Sequence, residues 1–252
     1  MKLAGQVAIV TGGGTGIGRS CCLGLAREGA KVTVNYSRRQ EQAEEVVREI
    51  EALGGSALAI RADVSKDAEA RSLIDQTVAQ WGRLDILINN AGWTQRTPHH
   101  ELELLSEEML DRTLAVNTKG PLYCCRAAIP FMQKQGEGYI VNVTSVAGFL
   151  GVGSSIIYAG SKAALSTITK SLARAFAPTI RVNAVAPGFV DTGFADWPRE
   201  AIAIAEKESH LGRLVTVEDV ASTILFLVTD GRGLTGEEIL VDGGMVTLGN
   251  RR

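Results

Sequence analysis

Tyr158 and Lys162 stand four residues apart at the start of a stretch with helical apolar period, so both side chains emerge on one face. A phenol beside an ammonium is a proton-transfer pair, because the cation favours phenolate and lowers the phenol pKa from its ordinary value of about 10. Such a tyrosine exchanges a proton with an oxygen atom near neutral pH. The plain alternative is an ordinary Tyr and Lys on a solvated helix face, and spacing alone does not separate the two.

A second chemical feature lies near the N-terminus. The segment TGGGTGIGRS, Thr11 to Ser20, follows an apolar run and leads into a helical pattern. Taken from Gly13 it is G-x-x-x-x-G-R-S, one residue short of a triphosphate-binding loop. The arginine at that point does not replace the compact ammonium that reaches the outer phosphates. Taken from Gly12 it is G-x-x-x-G-x-G, in which glycines let backbone N–H groups and a helix N-terminus approach a pyrophosphate. No G-x-G-x-x-G match occurs, so a dinucleotide turn and a bland structural turn both stay open on these residues alone.

These groups need a scaffold, and the chain supplies a regular one. Short β-rich runs alternate with segments of helical period: QVAIVT, Ile17 to Glu28, KVTVNY, Gln40 to Leu53, SALAIR, Asp67 to Trp81, LDILIN. A helix over Glu107 to Gln135, YIVNVTS, Tyr158 to Phe176, IRVNAVAP, Val217 to Thr229 and EILVDGG complete the alternation. Strands apolar on both faces, separated by helices, predict a doubly wound, Rossmann-type α/β fold with a parallel sheet. Ligands of such a sheet lie beyond the carboxyl ends of the strands, where Thr11 to Gly18, Tyr36 to Arg38, Asp63, Asn89 to Gly92, Ser145 and Pro187-Gly188 fall.

With 252 residues and 45% hydrophobic content, the chain fits one domain over 1–252, without repeats or polar linkers. A formal charge of −2 provides no basic field for nucleic acid or an anionic membrane, which leaves small-molecule chemistry. Cysteine occurs only as Cys21-Cys22 and Cys124-Cys125, which suits neither a disulfide framework nor a metal site, and no metal is expected. No uninterrupted apolar run approaches the eighteen or so residues of a membrane span, and no cleavage site precedes the glycine turn. A cytoplasmic location is expected. Asn35-Tyr36-Ser37 and Asn142-Val143-Thr144 match the glycosylation pattern but end apolar runs, so both are discounted.

The glycine turn TGGGTGIG, with NNAG (Asn89 to Gly92), Asn117, Ser145, YAGSK (Tyr158 to Lys162), Pro187-Gly188 and a closing TGEEILVDGG, resembles the short-chain dehydrogenase/reductase family. The resemblance spans essentially the whole chain, in the family's order and approximate spacing. GRLVTVEDVASTILFLVTD and the VDGG ending are most similar to 3-oxoacyl-carrier-protein reductases, a pattern shared with sugar, polyol and steroid dehydrogenases.

The resemblance implies hydride transfer between a nicotinamide and a carbonyl or secondary alcohol, with Tyr158 moving the proton and Lys162 tuning the phenol and bonding the nicotinamide ribose. It implies that Ser145 holds the substrate oxygen and that Asn117 orders a water-linked proton path behind the lysine. By the same resemblance Gly12, Gly14, Thr15, Gly16, Ile17 and Gly18 hold the pyrophosphate. Asp63 and Val64 contact the adenine, and Asn90, Ala91 and Gly92 run along the adenosine ribose. Pro187, Gly188, Val190 and Thr192 reach the nicotinamide carboxamide. An aspartate at a strand end is otherwise a common helix cap, and a buried asparagine a common partner for backbone groups.

NAD sites place a carboxylate about twenty residues past the glycines, and here that point reads Asn35-Tyr36-Ser37-Arg38-Arg39. Ser37 and Arg38 suit a 2′-phosphate, so NADP(H) is favoured over NAD(H). Thr15 departs from the pattern, standing where many NADP-using relatives carry a basic residue, and the arginines could instead be the solvated start of a helix.

The substrate side is expected from Trp93 to Leu105 and from a loop over 191–211, with Phe189, Phe194 and Trp197 as an apolar wall. His99, His100 and His210 lie in these regions as surface or loop residues. A small-molecule or acyl-thioester substrate is expected, although no basic run marks a docking patch for an acidic carrier. The family resemblance implies a homotetramer with two-fold axes. The competing class is a catalytically silent dinucleotide sensor, which has no chemical need for the set Asn117, Ser145, Tyr158 and Lys162.

Overall fold

The structure, a computed structural model, describes residues 1–249. Its strands are β1 (Val7–Val10), β2 (Lys31–Tyr36), β3 (Ala57–Arg61), β4 (Ile86–Asn89), β5 (Gly138–Val143), β6 (Ile180–Pro187) and β7 (Glu238–Val241). The helices are α1 (Gly16–Arg27), α2 (Gln40–Ala52), α3 (Asp67–Trp81), α4 (Glu107–Leu114), α5 (Gly120–Gln135), α6 (Ala147–Leu150), α7 (Ile156–Phe176), α8 (Arg199–Glu208), α9 (Val217–Thr229) and α10 (Met245–Leu248).

The strands form one 7-stranded sheet in the order β3-β2-β1-β4-β5-β6-β7, with every pairing parallel. Parallel pairing requires crossovers, and the helices supply them on both faces. Side-chain alternation decides which residue meets which layer: Ala8 and Val10 pack with Cys22, Leu25 and Val46, while Val7 and Ile9 pack with Leu73, Ile74 and Met132. α1, α2 and α9 therefore cover one face, and α3, α5 and α7 the other. The doubly wound fold read from the sequence is the one observed. Strand order reverses between β1 and β4, which opens a crevice at their carboxyl ends.

The helix expected over Glu107 to Gln135 is not uniform: α4 and α5 are joined by a π-helical turn, Ala115–Lys119. This wider turn carries Asn117 with its side chain fully buried, and such turns mark sites where a side chain must point away from the regular helical face. α7 begins at Ile156, two residues before Tyr158, because the Ser155 hydroxyl caps it by accepting from the Tyr158 N–H at 3.2 Å.

The two discounted glycosylation motifs prove to be interior positions. Asn35 donates to the Ile60 and Ala62 carbonyls, and Asn142 donates to Thr169 Oγ1 at 2.8 Å. All four cysteines are buried, and burial pushes every thiol pKa up, so they serve as small core residues. Among the described residues, no helix is long and apolar enough to cross a membrane.

Candidate active site

A cavity of about 840 Å³ opens at the carboxyl ends of the strands, lined by the segments that follow β1 to β6. Its floor at one end is the glycine turn. Thr11 Oγ1 accepts from the N–H groups of Asn90 and Ala91, and Asn90 Nδ2 donates back to the carbonyls of Thr11 and Gly12. The turn is thus bolted to the end of β4. α1 then starts at Gly16, with no side-chain cap from Thr15 and no acidic residue in its first turn. Its leading N–H groups have no partner within the helix, and Gly14, Thr15, Gly16 and Ile17 line the cavity. An uncapped, uncharged helix N-terminus at a cavity wall fits the diphosphate of a dinucleotide.

Gly18 does not line the cavity. A Cβ there would stand 2.3 Å from the Gly12 carbonyl oxygen and 2.6 Å from Asn90 Nδ2, so its job is to let α1 close onto the turn. Gly12 has a φ of +62°, a left-handed conformation that glycine adopts without strain.

Tyr158, Lys162 and Ser145 converge on the same cavity. Lys162 is 4% exposed, donates to the Val143 carbonyl at 2.7 Å, and sits 5.7 Å from the Tyr158 ring centroid. Burial of its ammonium lowers the Lys162 pKa to about 8. The Tyr158 pKa moves opposite to the sequence-based expectation. Burial pushes it up to about 12, and the Ser145 hydroxyl acts in the lowering direction. The Lys162 ammonium lies over the ring face and donates to the Val143 carbonyl, so it makes no hydrogen bond to the phenol oxygen that would offset the burial.

Asn117 is not among the residues lining the cavity, and its amide makes three hydrogen bonds. Its Oδ1 accepts from the Trp93 N–H at 2.7 Å, while Nδ2 donates to the Trp93 carbonyl and Ser161 Oγ. Ser161 in turn donates to the Tyr158 carbonyl at 2.7 Å. The side chain therefore ties the β4 loop to the first turns of α7, and it makes no direct hydrogen bond to Lys162.

Ser37, Arg38 and Arg39 are exposed at the cavity rim beyond β2, with no carboxylate between Tyr36 and Arg39. Asp63 and Val64 line the wall after β3. The Asp63 carboxylate is engaged by Ser65 and by Arg112 at 3.1 Å, and although burial acts the other way, those contacts lower its pKa. Arg112, from α4, is a cavity-lining residue that no sequence motif marked. On the far side Pro187 closes β6, and Gly188, Val190 and Thr192 follow it. A Cβ on Gly16 would meet the Thr192 side chain at 3.4 Å, so this loop reaches across to the start of α1.

The apolar wall forms in two parts. Phe194 lies 6.1 Å from the Tyr158 ring, and Phe189 packs 5.5 Å from Trp197. The expected loop over 191–211 contains α8, which the sequence reading did not resolve, and Ala201, Ile204, Ala205 and Glu208 of that helix face the cavity. The three histidines are not among its lining residues.

A family model described as enoyl-(acyl carrier protein) reductase matches residues 12–246. An uncharacterized oxidoreductase of Thermotoga maritima is 41% identical, covering 97% of this chain and 98% of its own length. A 3-oxoacyl-[acyl-carrier-protein] reductase of Staphylococcus aureus is 40% identical, covering 97% and 99%. Among solved structures, a short-chain dehydrogenase of Burkholderia cenocepacia J2315 in complex with NADP superposes with a TM-score of 0.89 at 36% identity, covering 96% of this chain and 98% of that one. With a family model matched over residues 12–246, relatives 40–41% identical over nearly the full length and solved structures of the same fold, the chain belongs to the short-chain dehydrogenase/reductase family and is an NAD(P)-dependent oxidoreductase.

Proposed function

We propose that the protein is an NADP(H)-dependent ketoreductase acting on 3-oxoacyl thioesters or closely similar ketones. The observation that carries this reading is the convergence of Tyr158, Lys162 and Ser145 on one cavity with the uncapped N-terminus of α1. The Staphylococcus aureus relative named for 3-oxoacyl reduction, and the NADP in the Burkholderia structure, support the substrate and cofactor assignments.

A bound NADPH supplies the hydride. Gly12, Gly14, Thr15, Gly16 and Ile17 would hold its pyrophosphate, with Gly18 shaping the turn behind them. Ser37 and Arg38 would take the 2′-phosphate through charge-assisted hydrogen bonds. Asp63 and Val64 would flank the adenine, Asn90, Ala91 and Gly92 the adenosine ribose, and Pro187, Gly188, Val190 and Thr192 the carboxamide. Lys162 would bond the remaining ribose.

The chain's own residues then manage the substrate oxygen. Ser145 Oγ donates a hydrogen bond to it and stabilises the charge that develops there. Tyr158, held protonated at neutral pH by burial, gives its proton to that oxygen in the reductive direction. Lys162 places positive charge behind the ring as the phenol loses its proton. Asn117 is a positioning residue, fixing Trp93 and the turn that carries Tyr158. A homotetramer in the cytoplasm, and one domain over 1–252, complete the proposal by family likeness.

The test is NADPH oxidation with purified protein against a panel of β-ketoacyl thioesters, sugars, diketones and steroids. Reduction of the thioesters at the highest kcat/KM supports the reading. Absence of turnover with every carbonyl compound would refute it.

A further inference from the structure

The part of the cavity wall built by α8 carries a charge pattern that bears on which ketone enters. α8 presents Ala201, Ile204, Ala205 and Glu208 to the cavity, positions that share one face of a helix. The cavity lining also includes the apolar side chains of Leu150 at the end of α6, Val152 just after it and Met245 of α10. The C-terminal end of α8 is fixed in place. The His210 N–H donates to the Gly243 carbonyl at 3.0 Å, and Gly244 and Val246 donate to the Asp242 carboxylate. Glu208 is consequently held beside the cavity on an anchored helix end.

No cation answers it. Among the described residues, the cations lining the cavity are Arg38, Arg39, Arg112 and Lys162. Arg38 and Arg39 follow β2 at the opposite end, Arg112 is paired with Asp63, and Lys162 donates to the Val143 carbonyl. The loop that leads into α8 adds further acid, with Asp191 and Asp196 also on the lining. A carboxylate entering this end would meet like charge in a half-enclosed space, where screening by water is reduced.

We infer that the substrate end selects uncharged ketones bearing an apolar group and excludes ketones with a free carboxylate, with Glu208 as the residue that sets the exclusion. This rests on the ketoreductase reading above. It defines the handle rather than the reacting group: a thioester, ester or amide beside the ketone is accepted, and the free acid of equal length is refused.

Binding and turnover are measured separately to keep the two ideas apart. Protein saturated with NADP+, which cannot reduce a ketone, is titrated calorimetrically with a 3-oxoacyl N-acetylcysteamine thioester and with the matching 3-oxo acid. The native protein should bind the acid at least about tenfold more weakly. Glu208→Gln should shrink that ratio several-fold, and Glu208→Lys should shrink it further or reverse it. Equal affinity of the native protein for acid and thioester overturns the inference, as does a ratio unmoved by both substitutions. A thioester that binds selectively yet is never reduced by NADPH overturns the ketoreductase reading while leaving the charge selection standing.

Discussion

Lys162 Nζ lies 5.7 Å from the centroid of the Tyr158 ring, and its hydrogen bond goes to the Val143 carbonyl rather than to the phenol. The pair expected from an i, i+4 spacing is therefore present as a stacked contact. One turn of α7 brings the two side chains together, and the end of β5 decides where the ammonium points.

The first consequence is a pH dependence set by the lysine. Its pKa of about 8, lowered by burial, means that it loses its proton just above neutrality. In the reductive direction kcat/KM for NADPH should fall as pH rises through about 8, since this parameter reports groups of the free protein. The limb should be absent from whatever activity Lys162→Met retains.

Stability should respond in the opposite sense. A lysine whose folded pKa lies below its unfolded value binds fewer protons when folded, so stability rises with pH between the two values. Here that window runs from about 8 up to the ordinary lysine value of 10.5. The buried cysteines and Tyr158, whose pKa values are raised, oppose this at high pH. The measurable quantity is thus the difference between native protein and Lys162→Met in urea unfolding. Relative to the variant, the native protein should gain stability as pH rises across this window.

Cofactor choice is tested at the end of β2. Arg38→Ala should raise KM for NADPH by roughly tenfold or more, the loss of a charge-assisted contact to phosphate, with little change for NADH. Equal KM values for both cofactors in the native protein would contradict the assignment.

The glycine turn makes a purely structural prediction. Gly18→Ala places a methyl group 2.3 Å from a backbone oxygen that cannot rotate away. It should destabilise the fold by about 1–3 kcal/mol and lower the melting temperature, with weakened dinucleotide binding as a secondary effect. An unchanged melting temperature would show that α1 can shift.

Much of this was legible in the sequence because it depends on period and local spacing. Apolar runs such as QVAIVT and LDILIN announce buried parallel strands, and the order of motifs predicts that the segments carrying Gly12, Asn90, Ser145 and Tyr158 share one sheet edge. What stayed hidden depends on tertiary contact. Asn35 was visible only as a false glycosylation motif, although its side chain accepts from the Gly12 N–H and ties β2 to β3. Arg112 carries no motif because its partner Asp63 lies 49 residues away in the chain. α8 shows a small apolar face that becomes meaningful only when the cavity stands beside it, and the direction of the Tyr158 pKa shift depends on how deeply the folded chain buries the phenol.

The most direct measurement is on Tyr158→Phe, which removes the proton donor and keeps the ring against Phe194. With saturating NADPH and a 3-oxoacyl thioester, kcat should fall by roughly a hundredfold to ten-thousandfold, while the NADPH dissociation constant stays within a few-fold of native. A variant that turns over at a near-native rate would contradict the role of the phenol at the centre of the proposed chemistry.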